Sequence, residues 1–168
     1  MGSMRQRIFL HGLDSSPLGT KARYFAKNYP DMLIPHFRGD LEERLRLLYH
    51  LLDREERIIL VGSSFGGLMA TLFAIRSPKR CERLILLAPA INLLEGERMP
   101  KGYIEVPTWI FHGEKDEVIP LESVKDVSSK LFSDLRFYVV KDDHFLRDTF
   151  FQLEWDELLM IKDQDQRR

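Results

Sequence analysis

Ile58-Ile59-Leu60-Val61 is a continuous apolar run that ends abruptly in Gly62-Ser63-Ser64-Phe65-Gly66. A strand with apolar residues at successive positions is covered on both faces, as in a parallel sheet packed between helices. Beyond the turn, Leu68, Met69, Leu72 and Phe73 fall on one side of a predicted helix running from about Phe65 to Arg76. The chain therefore passes from buried strand to helix through a tight turn that holds Ser64.

The same alternation extends in both directions. Ile8-Phe9-Leu10 reads as a buried strand ending at His11-Gly12, followed by a helix from Thr20 to Tyr29. Met32 to His36 reads as a further, weaker strand. Asp40 is placed to cap the next helix, with Glu43 three residues on and Leu41, Leu45, Leu48 and Leu52 at helical spacing. Arg83–Leu87, Thr108–Phe111 and Leu135–Val140 read as strands. Pro120 suits the first turn of a helix to about Phe132, and Asp148 to about Ile161 reads as a closing helix. The expected fold class is α/β, with a mostly parallel sheet of about six strands and helices on both faces. Sites in such sheets lie at the carboxyl ends of the strands.

Composition narrows the partners. Charged residues make up 30% of the 168 and nearly cancel, for a formal net charge of −1. No strong field favours nucleic acid or an anionic membrane, so the expected partner is a small molecule. Cys81 is the only cysteine, which rules out an internal disulfide, and no Cys/His cluster has metal-ligand spacing. No apolar run approaches the roughly 18 residues of a membrane span, and no signal-peptide pattern opens the chain. A cytoplasmic location is expected. Met1-Gly2-Ser3 reads as an expression scar ahead of a native Met4. Oligomeric state is left open.

Gly62-Ser63-Ser64-Phe65-Gly66 fits the G-x-S-x-G nucleophile elbow, which requires a strand before it and a helix after it. Gly62 and Gly66 remove side chains that would collide across so sharp a turn. A serine hydroxyl needs a base to act as a nucleophile. Of five histidines, His144 follows the last predicted strand, where a loop can reach the elbow. His11 and His112 precede glycines at strand ends and suit loop-shaping roles, whereas His36 and His50 have no motif around them. The base needs an acid to fix its tautomer, and Asp116 sits in the loop between a strand and Pro120. Glu114 and Glu117 are nearby competitors. An oxyanion hole needs two backbone N–H groups, for which Phe65 and Leu13 are the candidates.

These three motifs, in the order Ser64, Asp116, His144, resemble the α/β-hydrolase superfamily over nearly the whole chain. His11-Gly12-Leu13-Asp14-Ser15-Ser16-Pro17 with Lys21-Ala22, together with Gly62-Ser63-Ser64-Phe65-Gly66-Gly67, is similar to the small YqiA/YcfP-like esterase family. Leu13 stands where that family has an aromatic, and Gly19 where it has a serine. The resemblance implies that residues 4–168 form a single minimal hydrolase domain, starting at the third strand of the full superfamily sheet. It implies a carboxylesterase-like activity without specifying a substrate.

The segment Pro89–Glu105, about 17 residues, is where relatives insert a lid. It is too short for a large cap, so an open site favouring small or short-acyl esters is expected. Ile91, Leu93, Leu94, Met99 and Tyr103 are candidate walls of an acyl pocket. The implied mechanism is acyl transfer to water through an acyl-enzyme on Ser64, with no metal or organic cofactor. The same triad serves acyl thioesterases, and fold and triad do not choose between them. A reading of a different class is a low-turnover binding module on a hydrolase scaffold.

Overall fold

The computed structural model describes residues 2–94 and 99–162. Five strands form one sheet in the order of the sequence: β1 (Gln6–Leu10), β2 (Ile58–Ser63), β3 (Cys81–Leu87), β4 (Thr108–Gly113) and β5 (Leu135–Val140). Every neighbouring pair is parallel. The helices are α1 (Thr20–Asn28), α2 (Leu41–Leu51), α3 (Phe65–Arg76), α4 (Leu121–Leu131), α5 (Thr149–Gln152) and α6 (Trp155–Leu158).

Period-two alternation along the strands divides the core into two layers. Ile8, Leu10, Ile58, Leu60, Leu84, Leu86 and Ile110 pack with Leu45 and Leu48 of α2, Phe73 of α3 and Val124 of α4. Phe9, Ile59, Val61, Ile85, Leu87 and Phe111 face the other way, toward Phe25 of α1, Phe150 of α5 and Trp155 of α6. The apolar run of β2 is thus covered on both sides. Among the described residues no helix is long and apolar enough to cross a membrane.

Local signals set the helix ends. Asp40 caps α2 in a complete capping box: its carboxylate accepts from the Glu43 N–H, and the Glu43 side chain accepts from the Asp40 N–H. α3 has the bounds expected from its apolar face.

Two expectations are corrected. Among the described residues the sheet has five strands, because Met32–His36 makes only one bridge, Leu33 to Ile8. The Leu33 N–H donates to the Arg7 carbonyl and the Phe9 N–H to the Leu33 carbonyl. The next rung of that parallel ladder would need an N–H from Pro35, which has none. The closing helix from Asp148 is broken into α5 and α6. The Trp155 indole N–H donates to the Phe150 carbonyl at 2.9 Å. An unbroken helix would give that carbonyl to the Glu154 N–H.

Candidate active site

Ser64 sits between the end of β2 and the start of α3 with φ 54° and ψ −114°, a strained backbone for a residue with a side chain. The turn is locked from three directions. The Ser64 N–H donates to the Leu87 carbonyl, and the Ser64 carbonyl accepts from Gly67 and Ala90. A Cβ at Gly62 would strike the backbone of Gly66 and Gly67, and one at Gly66 the carbonyls of Leu10 and His11. The elbow therefore closes against both its own helix and the end of β1 only because these two residues are glycine.

His144 reaches this turn from the loop after β5. Its Nε2 lies 3.1 Å from the Ser64 hydroxyl oxygen, and its Nδ1 lies 2.7 Å from Asp116 Oδ2. With the proton on Nδ1 donated to Asp116, Nε2 is left to accept from the Ser64 hydroxyl. The Asp116 side chain is fully buried. Its Oδ1 accepts from the N–H groups of Val118 and Ile119, at 2.9 and 2.7 Å. The competing acids Glu114 and Glu117 are not in this chain of hydrogen bonds.

Two further histidines hold the loops. His112 is fully buried; its Nε2–H donates to the Ile119 carbonyl at 2.9 Å and lies 3.2 Å from Asp116 Oδ2. Burial holds its pKa below the ordinary histidine value, against the pull of Ile119 and Asp116. His11 donates from Nδ1 to the Gly12 carbonyl and accepts the Phe37 N–H on Nε2. Burial likewise lowers its pKa, aided by the charges of Arg44 and His36. Both are neutral struts, the loop-shaping role read from their positions at strand ends.

Asp142 shapes the histidine loop from within. Its Oδ1 accepts from Asp143, and its Oδ2 from Asp148 and Thr149. Burial alone would raise its pKa, but these N–H groups outweigh it and hold the carboxyl below its ordinary value.

Ser64 and His144 open onto a cavity of about 950 Å³, with the Asp116 side chain buried behind the imidazole. Leu13 and Phe65, the two candidate oxyanion donors, both line it, and neither N–H has a protein partner among the described residues. Exposed apolar side chains of Leu13, Leu93, Val118, Phe145 and Phe151 form its rim. Lys21 and Arg147 add positive charge to the wall, and Asp14 negative charge.

Of the five expected acyl-wall residues, Leu93 lines the cavity and the other four do not. Ile91 and Leu94 are buried in the core shared with α3 and α4, Met99 packs against that core, and Tyr103 is 63% exposed. Ile91–Leu93 forms a 3₁₀ turn, which directs Asn92 and Leu93 toward the cavity and Ile91 inward. Residues 95–98 of this segment lie outside the described residues. Cys81 is buried, donates to the Ser77 carbonyl and is pushed by burial up to about 12, so it has no reactive character. Among the described residues no group of three or more His, Cys, Asp or Glu side chains is arranged to hold a metal.

Sequence reading missed Arg44. It lies on the buried face of α2, where Nε donates to the Gly39 carbonyl and Nη2 to the Leu13 carbonyl. The signal was present: Leu41, Arg44, Leu45 and Leu48 share one helical stripe, so a charge stands on the apolar face.

Residues 6–105, more than half of the chain, match the uncharacterised protein family UPF0227. The chain belongs to that family. No curated protein matches it in sequence. Solved structures place this UPF0227 member in the α/β-hydrolase fold. Alpha/beta hydrolase domain-containing protein 10 from mouse is 20% identical with a TM-score of 0.73, over 99% of this chain and 91% of that one. Est1E from Butyrivibrio proteoclasticus, in a structure with ferulic acid bound, is 16% identical with a TM-score of 0.71, over 89% and 84%. An alpha-beta serine hydrolase homologue from Coxiella burnetii is 21% identical with a TM-score of 0.66, over 94% and 85%. At these identities the likeness is one of fold.

Proposed function

We propose that this UPF0227 protein is a serine hydrolase, a carboxylesterase that cleaves small or short-acyl esters through an acyl-enzyme on Ser64. The observation that carries this reading is the hydrogen-bonded chain from Ser64 through His144 to the buried Asp116 carboxylate, opening onto a cavity at Ser64 and His144. Ser64 attacks the ester carbonyl as His144 Nε2 takes its proton. Asp116 holds the imidazole in the required tautomer and stabilises the imidazolium. The Leu13 and Phe65 N–H groups meet the oxyanion, which explains why both stand without protein partners at the cavity. His144 then protonates the leaving alcohol, and water repeats the sequence in reverse.

A cavity of about 950 Å³ accepts more than an acetyl group, and its apolar rim suits the hydrocarbon part of an ester. Est1E, of the same fold, binds ferulic acid, so methyl ferulate belongs in the substrate panel.

The test is hydrolysis of p-nitrophenyl acetate and butyrate by the wild type beside Ser64→Ala. Turnover in the wild type, with kcat lowered by on the order of 10⁴–10⁶ in the variant, is expected. Equal turnover in both proteins removes Ser64 from the mechanism. Stoichiometric labelling of Ser64 by a fluorophosphonate separates an activated serine from an idle scaffold. Matched oxygen and thiol esters decide between esterase and thioesterase.

A further inference from the structure

We propose that Lys21 makes this cavity selective for esters that carry a carboxylate, binding that carboxylate beside α1 while the ester carbonyl lies at Ser64. The proposal rests on the hydrolase reading and adds a substrate class to it.

Lys21 is the second residue of α1 and lines the same cavity as Ser64. Its ammonium donates to the Phe145 carbonyl at 2.7 Å and stands 5.7 Å from the centre of the Phe150 ring. Phe145 directly follows His144, so this charge is fixed one residue from the candidate base. An ammonium has three N–H donors. One is used on the backbone, and no other hydrogen bond to it appears among the described residues, which leaves two for the cavity.

The nearby carboxylates are engaged elsewhere. Both oxygens of Asp142 accept backbone N–H groups. Asp143 accepts the Phe145 N–H on Oδ1 and faces Arg147 across 3.8 Å on Oδ2. Burial holds the Lys21 pKa below the ordinary lysine value, Asp142 and Asp143 oppose this from a distance, and neither forms an ion pair with Lys21 among the described residues. Asp14, the acidic residue of the wall, lies in the field of Arg44. A half-buried ammonium with two spare donors and no directly bonded anion is matched by a substrate carboxylate, which accepts both. Phosphate, with more charge and more acceptor oxygens, calls for a cluster of cations or a backbone nest. Here Lys21 is flanked by aromatic and apolar groups, and Arg147 is 71% exposed at its side chain.

The experiment compares kcat/KM for anionic and neutral partners within each protein. One pair places the carboxylate on the acyl side: p-nitrophenyl adipate monoester against its methyl ester. The other places it on the alcohol side: 4-acetoxybenzoate against methyl 4-acetoxybenzoate. The ratio is internal, so any movement of the His144 loop caused by the substitution cancels. In at least one pair the anionic preference is expected to fall about tenfold in Lys21→Met and to persist in Lys21→Arg. It should also shrink as salt is raised in the wild type, a readout that needs no variant. Equal ratios in wild type and Lys21→Met for both pairs overturn the proposal while leaving the hydrolase reading intact. Calorimetric titration with adipate and with 4-hydroxybenzoate gives an arm independent of turnover. Tighter binding to wild type than to Lys21→Met, with no ester hydrolysed and Ser64 unlabelled by a fluorophosphonate, upholds the anion site and removes the hydrolase reading. Equal binding to both proteins, with no ester hydrolysed and Ser64 unlabelled, overturns both.

Discussion

Arg44 Nη2 donates to the Leu13 carbonyl at 3.1 Å while its guanidinium lies 5.4 Å from the centre of the Phe65 ring. One buried side chain therefore touches both residues proposed to stabilise the oxyanion. Its third nitrogen, Nη1, is buried without a partner among the described residues, so the guanidinium is not fully compensated. Arg44→Met removes the donor to the Gly39 and Leu13 carbonyls, both on exposed residues, so a stability loss of about 1 kcal/mol is expected. In the folded variant kcat for p-nitrophenyl butyrate is expected to fall by about 10- to 100-fold with KM little changed. The affinity of a boronic acid transition-state mimic should fall in parallel. An unchanged kcat would show that the Leu13 loop needs no such anchor.

Ser64 and its strained backbone separate activity from stability. Positive φ at a residue with a Cβ costs about 1–3 kcal/mol, and glycine escapes that cost. Ser64→Gly and Ser64→Ala should both lose the proposed hydrolysis of p-nitrophenyl butyrate. Of the two, Ser64→Gly should be the more stable, by about 1 kcal/mol after its larger unfolded-state entropy is counted. Denaturant titration of the two variants checks this. A glycine variant less stable than the alanine one would mean that the elbow is not under strain.

What could be read from the sequence follows from chemistry that is local in the chain. The elbow motif occupies five consecutive residues, and α3 was bounded by its own apolar face. Ser64, Asp116 and His144, each placed just after a strand, stand in one hydrogen-bonded chain because parallel strands bring their carboxyl ends to one side of the sheet. What escaped depends on rungs and registers. Pro35 ends a ladder only because its missing N–H falls on the rung that faces Phe9. Ile91 and Leu93 are both apolar and two positions apart, and a 3₁₀ turn sends one to the core and the other to the cavity. Hydropathy cannot rank two such side chains. The break between α5 and α6 falls at Leu153, where the backbone turns extended and the Trp155 indole takes the Phe150 carbonyl, and spacing does not reveal it.

The buried histidines tie stability to pH. His11 and His112 both have folded pKa values below the reference of 6.5. In the interval between the two states' values the unfolded chain binds more protons, so stability rises with pH there. The contribution is complete above about pH 6.5 and is lost as pH falls through the folded values. Asp142 has the same sign at a lower window, its contribution being lost only as pH falls below the ordinary 3.8. Unfolding free energy measured at pH 7.5, 6.5 and 5.5 should therefore decline across that range. A flat profile across that range would show that neither histidine is held neutral.

Trp155 links the core to the histidine loop. It is 2% exposed, its ring centre lies 4.8 Å from that of Phe25, and its indole N–H satisfies the Phe150 carbonyl. Phe150 lines the cavity at the end of the loop that Asp142 organises through Asp148 and Thr149. Trp155→Phe keeps an aromatic ring but removes the donor and leaves a small void. The loss should be about 1–3 kcal/mol, the range for an orphaned buried acceptor together with modest underpacking. Because the released carbonyl belongs to α5, its effect should extend to the loop. Amide exchange should quicken at Phe150 and Thr149 more than in β2, and esterase kcat should fall by a few-fold with the fold retained. If stability drops with uniform exchange and an unchanged kcat, Trp155 serves packing alone, and the position of His144 does not depend on it.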